Sequence, residues 1–308
     1  MTPPCLVARA STLMLDHPGW FTTSGGQAQR AFRARETVWM VTCDQTSSTV
    51  FEPKIDVIRP EVSDMDIRQV IGSFEPGQLP SPFRETPLIR DYGRLWRVRS
   101  TDLWEAILPH LVRQHGDIAQ TIQRYRALCT AIGDRVTTSL GTLLITPRAR
   151  TVASADDKAW GELANRPWVR RVRAAARMYL ERQTAWAQFP PDALFHAVRD
   201  IHGIGTQSAA GIIADITNDF SRYESIEFGT PGRWHQFCDD LDWQVSMEDF
   251  AAAWKVLSRD QRSTLAALSI DWRQKTRRPA QARLFESSTP ALESDDCTPA
   301  SGDQRASA

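Results

Sequence analysis

No run of apolar residues in this 308-residue sequence approaches the roughly 18–20 that cross a bilayer, so a membrane span is not expected. The stretch Met1 to Ala10 has no charged start followed by a long apolar segment, so no secretory signal is readable and the cytoplasm is the expected location. Cysteine is sparse: Cys5, Cys43, Cys129, Cys238 and Cys297 stand singly, whereas zinc and iron–sulfur centres need clustered thiolates. Free thiols are therefore expected, with no metal and no other cofactor. Lysine is nearly missing, since Lys54, Lys158, Lys255 and Lys275 are the only ones. The cations are overwhelmingly arginine, whose planar guanidinium suits phosphate, although genomic base composition gives the same bias. Excess charge of either sign is missing too, because 37 Lys and Arg balance 37 Asp and Glu. Any nucleic-acid face must be local. No internal repeat is apparent.

What is present is ordinary globular material, 42% hydrophobic and 24% charged, enough for one large or two closely packed domains. Between Ala31 and Pro60, β-branched and aromatic residues concentrate in Thr37–Cys43, Thr49–Phe51 and Ile55–Ile58, which predicts short strands. From Ser63 the period becomes helical, over Asp64–Ile71, Ser100–Gly116, Ile118–Ile132, Ser154–Ala164, Pro167–Gln183, Pro191–Asp200, Gln207–Asn218, Met247–Leu257 and Arg259–Asp271. Ser100 and Ser246 are the expected N-caps of their helices. The fold class is α+β: a β-rich part over residues 1–62, an all-helical bundle over 63–275, and a disordered tail over 276–308, where periodicity is lost.

One segment carries chemistry. Leu194–Ile213 sets an amphipathic helix, a Gly203-Ile204-Gly205 turn and a second helix with small residues in its first turn: a helix-hairpin-helix. Gly203 and Gly205 permit a tight turn and close backbone approach, and the second helix starts with unpaired amides and a positive dipole end. A DNA phosphate fits there, contacted by Gly203, Ile204, Gly205, Thr206 and Ser208. A glycine turn between packed helices is also a common structural device.

The sequence around this motif resembles the helix-hairpin-helix DNA glycosylases, in particular the bacterial 3-methyladenine DNA glycosylase II type, over roughly Asp64–Trp272. Thr101–Gln114 is similar to the family's first bundle helix, Trp168–Met178 to its Arg- and Ala-rich helix, and Ala251–Trp272 to its closing element. The resemblance implies a small β domain before a helical bundle, a duplex DNA partner, a monomer, and excision of alkylated or modified bases in base excision repair.

It also implies site residues. The family's catalytic aspartate lies about 22 residues after the second hairpin glycine, which selects Glu227; Arg233–Phe237, used as anchor instead, selects Thr230. Glu224 and Asp219 are alternatives on the same loop. Such a carboxylate stabilises positive charge developing at the sugar. Gln207 stands where lyase-type relatives carry a nucleophilic lysine, so no strand-cleaving activity is expected. Gln114, Gln207, Gly211 and Trp272 fall at base-pocket positions; the missing aromatics at Gln207 and Gly211 imply an altered, wider pocket. Two other functions stay open: a base-modifying enzyme on the same scaffold, and an inactive DNA-binding protein.

Overall fold

The computed structural model describes residues 12–23, 26–34, 37–44, 54–59, 70–81, 83–86, 89–90, 92–113, 118–223 and 246–286. Strands β1 (Thr12–Leu13), β2 (Phe21–Thr22), β3 (Gln27–Ala34), β4 (Thr37–Asp44), β5 (Lys54–Arg59), β6 (Ile71–Phe74) and β7 (Leu95–Val98) precede the first long helix. A four-stranded antiparallel sheet runs β2-β3-β4-β5, and a second sheet runs β1-β7-β6 with β1 parallel to β7. The expected strand 49–51 and positions 64–69 of the helix expected over Asp64–Ile71 lie outside the described residues; Ile71, the last residue of that expected helix, opens β6 instead.

Helices α1 (Leu103–Arg113) and α2 (Ile118–Ile132) follow, then the hairpin β8 (Asp134–Thr138) and β9 (Gly141–Ile145). Next come α3 (Ala149–Ser154), α4 (Asp157–Trp160), α5 (Pro167–Trp186), α6 (Pro191–Val198), α7 (Thr206–Thr217), α8 (Met247–Val256) and α9 (Arg259–Glu286). The α+β class stands, but two expectations are corrected. The part after residue 62 is not all-helical, because β6, β7 and the β8–β9 hairpin fall within it. The helix expected to stop at Asp271 continues to Glu286, so residues 276–286, expected in the disordered tail, are helical. Arg, Gln, Lys, Ala and Leu, all good helix formers, extend it without an apolar stripe. Residues 287–308 lie outside the described residues.

Caps follow local chemistry. Ser246 accepts from the Asp249 amide at 3.1 Å, as expected. For α1 the cap is Asp102, not Ser100: its carboxylate accepts the Glu105 N–H at 2.7 Å, while the Ser100 amide instead bonds Asp215 O at 2.7 Å.

Three apolar layers hold the elements together. The main core gathers Trp104, Ile107, Leu108 and Leu111 of α1 with Val169 and Val172 of α5, Ile212 and Ile213 of α7, and Leu265 and Leu268 of α9. It reaches into the β part through Met14, Phe74 and Leu95. A second layer lines the large sheet with Ala28, Phe32, Ala34, Val41 and Cys43, and a third joins Ala31 and Val38 to Val136, Leu143 and Ile145 of the hairpin. Cys43 and Cys129 are buried free thiols whose burial pushes them up to about 12. No helix among the described residues is long and apolar enough to cross a membrane.

Within the inward-facing alternation of β3, Arg30 replaces a hydrophobe. Its guanidinium donates to Glu105 of α1 at 2.9 Å and to Val98 O at 3.4 Å, with both side chains almost fully enclosed. This ion pair bolts the sheet to the bundle, and removing one partner strands the other in low dielectric. Glu105→Ala is expected to lower stability by about 3–5 kcal/mol. Asp157→Ala, which breaks an exposed pair with Arg173, should cost no more than about 1 kcal/mol. Equilibrium urea unfolding of the two variants checks the contrast.

Candidate active site

The hairpin forms where the sequence places it. Arg199 ends α6, Gly203 adopts φ +94°, and α7 starts at Thr206. Gly203, Gly205, Thr206 and Gln207 are exposed, Ser208 is half-buried, and Ile204 turns into the core. Only Gly203 needs its glycine for backbone reasons. Gly205 has an ordinary φ of −83°, and a Cβ built there meets nothing within 4 Å. No side chain caps α7, so its first-turn amides face outward beside bare backbone.

The buried face of α7 leads inward from that end. Gln207, Gly211 and Asp215 are spaced by four, hence stacked on one helix face. Gly211 is covered rather than open: a Cβ there would lie 2.1 Å from His110 Cε1 and 2.7 Å from the Tyr223 hydroxyl. The widening expected at Gly211 is thus corrected, since a histidine and a tyrosine from other elements fill that space. Asp215, one turn on, lies 2.9 Å from His110 Nε2, and its carboxylate accepts from that nitrogen when it carries the proton.

Asp215 also pairs with Arg97 of β7, whose guanidinium is 3% exposed and engaged on every side. Its Nε and Nη2 donate to Asp16 Oδ2 at 2.9 and 2.7 Å. Its Nη1 donates to Asn218 Oδ1 at 2.8 Å and to Ala214 O at 3.2 Å, and its plane lies 4.9 Å from the Phe220 ring centre. Burial alone would raise the Asp215 carboxyl, but Arg97 and His110 outweigh it and hold Asp215 well below the ordinary carboxylate range. Burial, reinforced by the Asp215 charge, outweighs Arg113 and Arg97 and pushes the Tyr223 phenol up, so it stays neutral.

Asp16, His17, His110, Arg113, Asp215 and Tyr223 surround a cavity of about 30 Å³, with Phe220 and Ile270 as apolar walls. Arg113, at the end of α1, is its exposed rim, and Arg113 Nη2 donates to Asp16 O at 3.3 Å. A negatively charged group, a buried cation that fixes it, and a histidine–tyrosine pair meet where the hairpin's second helix enters the core. Such a set can hold a polar ligand, stabilise positive charge and exchange a proton.

The residues expected from the sequence are distributed unevenly around this cavity. Asp219 is turned away, with Oδ1 accepting the Ser221 amide at 2.9 Å and Oδ2 accepting Arg259 Nε at 2.6 Å. Trp272 is half-buried on α9, and its neighbour Ile270 lines the cavity in its place. Gln207 is at the outer end of the α7 stripe. Gln114, Glu224, Glu227 and Thr230 lie outside the described residues. Asp16, His17, Arg97, His110, Asp215 and Tyr223 were not among the expected residues; of these only Asp215 had a local signal, as the next step in the Gln207–Gly211 spacing.

Searches with the chain find the same architecture in solved DNA glycosylases. The structure of MBOgg1 with a low-affinity DNA ligand aligns at TM-score 0.58 and 14% identity, covering 83% of this chain and 88% of that one. The Clostridium acetobutylicum 8-oxoguanine glycosylase/lyase, bound to double-stranded DNA with cytosine opposite 8-oxoG, aligns at 0.58 and 13%, with the same coverages of 83% and 88%. A 3-methyladenine DNA glycosylase from Archaeoglobus fulgidus aligns at 0.54 and 14%, covering 84% and 90%. No protein-family profile matches the chain, and no curated protein sequence does. The fold is that of the DNA glycosylases, in agreement with the resemblance read from the sequence.

Asp215 supplies a pH signature. With its folded value below the ordinary carboxylate value of about 3.9, its stabilisation is fully present above that value and is lost as the pH falls through the depressed one. Asp215→Asn is expected to cost about 1.5–3 kcal/mol at neutral pH. The gap from wild type should narrow below about pH 4. Urea unfolding at neutral and acid pH measures both.

Proposed function

We propose that the protein is a monofunctional DNA glycosylase. It grips the backbone of duplex DNA with the Gly203–Gly205 hairpin and hydrolyses the N-glycosidic bond of an alkylated or otherwise modified base turned out of the stack. The observation that carries this reading is continuity: a bare, uncapped hairpin and a buried polar cavity are two ends of one helix, α7. A sugar–base bond is inaccessible inside a duplex, so a backbone grip beside a cavity is what this chemistry needs. The fold of glycosylases solved with DNA supports it.

In this mechanism the α7 amides and the Gly205 N–H donate to a phosphate oxygen at the protein surface. The flipped nucleotide enters toward Asp215 and His110, where displaced water raises the value of fixed charge. A carboxylate stabilises the positive sugar as the bond to the base lengthens, and water completes the hydrolysis. Glu227 is the carboxylate that the resemblance selects for this step. Gln207 carries no amine, so no covalent imine forms and the product is an intact strand with an abasic site.

Two substitutions separate grip from chemistry. Gly205→Arg places a long side chain where the structure leaves open space, so the melting temperature should hold while duplex affinity falls by about tenfold or more. Equal affinity at matched salt, in a folded variant, removes the hairpin as the DNA contact. Glu227→Gln should slow single-turnover base release by about 100-fold or more with binding preserved. The substrate is methylated duplex DNA, scored by cleavage of abasic sites; no release by wild type above a protein-free control rejects the glycosylase reading.

A further inference from the structure

Among the described residues, two of the side chains around the cavity hold a fully enclosed polar atom with no hydrogen-bond partner: Asp16 Oδ1 and His17 Nε2. Their other atoms are taken. Asp16 Oδ2 accepts both Arg97 Nε and Nη2, and His17 Nδ1 accepts the Gly19 amide at 2.9 Å. Gly19 belongs to this arrangement, since a Cβ on it would sit 2.9 Å from His17 Nδ1. The His17 ring stands edge-on to Tyr125 at 5.4 Å and is 7% exposed. Burial, then Arg30, hold its pKa well below the ordinary value, so the ring is neutral. With Nδ1 accepting, the proton of a neutral ring belongs to Nε2. Two consecutive residues that line the cavity therefore carry one unmatched acceptor and one unmatched donor.

An enclosed polar atom without a partner costs stability, so such pairs exist to be matched. The matching ligand carries a donor beside an acceptor on one edge. Every unalkylated base presents that pair on its Watson–Crick edge, the edge read in flipped-base pockets. We infer that Asp16 and His17 read the Watson–Crick edge of the base held in this cavity, Asp16 accepting and His17 donating. The inference rests on the DNA reading above and narrows it. A base alkylated on that edge loses the match and is refused, so the modification that marks the substrate lies elsewhere on the ring. The cavity of about 30 Å³ has room for about one water-sized group, so only the edge of a ring would enter it, past Phe220, Tyr223 and the exposed Arg113.

The test uses the full chain and fluorescence anisotropy on duplexes alike except for one unpaired nucleotide opposite an abasic site. Thymine is compared with its non-hydrogen-bonding isostere difluorotoluene, and adenine with methylbenzimidazole. Wild type should prefer the hydrogen-bonding member of at least one pair by about tenfold or more. Asp16→Asn turns the orphan acceptor into a donor while its oxygen still faces Arg97, and His17→Phe removes the donor but keeps a ring against Tyr125. Each should reduce the preference to about twofold or less. In nitrogen-labelled wild type, the His17 Nε2–H resonance should shift with the thymine duplex and not with its isostere, which needs no substitution. Equal affinity within both pairs, alongside duplex binding that Gly205→Arg weakens, overturns edge reading and leaves the DNA reading standing. A preference that survives in both folded variants, with an unmoved His17 resonance, removes the assignment to these residues. No duplex binding by wild type overturns both readings.

Discussion

The Arg97 guanidinium is the constraint on which the site depends. It sits on β7, the central strand of the three-stranded sheet, and its donors reach Asp16 before the large sheet and Asp215, Ala214 and Asn218 on or beside α7. Three chain segments far apart in sequence are thus fixed by one planar cation. A buried arginine is tolerable only when its donors are met, and two carboxylates, an amide oxygen and a carbonyl meet them. The geometry of the cavity follows: Asp215 is steered toward His110, and Asp16 is left with one enclosed oxygen that has no hydrogen-bond partner. Gly72 accommodates this knot, because a Cβ on it would lie 2.3 Å from the Asn218 amide nitrogen.

The sequence disclosed helices far better than strands, for a physical reason. The 3.6-residue period of Ile118–Ile132 and of the hairpin's two helices repeats over several turns, so boundaries fall within a residue or two. Strand β3 has little such signal. Gln27–Ala34 contains no β-branched residue, and its inward face alternates Ala28, Arg30, Phe32 and Ala34, an arrangement justified only once Glu105 stands across from Arg30. The β8–β9 hairpin does carry Val136, Thr137, Thr138 and Ile145, yet two five-residue strands between long helices give a short pattern that the helical period around them overwhelms.

The candidate site divides the same way. The hairpin was legible because its requirement is local: a turn residue at positive φ and a helix start without bulk. The cavity was not, because His110 and Asp215 are 105 residues apart and nothing in either neighbourhood announces the other. The base pocket inferred from missing aromatics illustrates the difference. Small residues at one position predict open space only if no other element fills it, and at Gly211 His110 and Tyr223 do.

Under the proposed function, the open ground over Gly205 bears on how the protein finds its target. A grip made by main-chain amides and a residue with no side chain touches phosphate and leaves the base edges unread, so every step along a duplex offers nearly the same energy. Movement along the polymer then meets no deep traps, and selection is deferred to the moment a nucleotide leaves the stack. On that reading, search speed and chemical discrimination are set at opposite ends of α7, and either can change without the other.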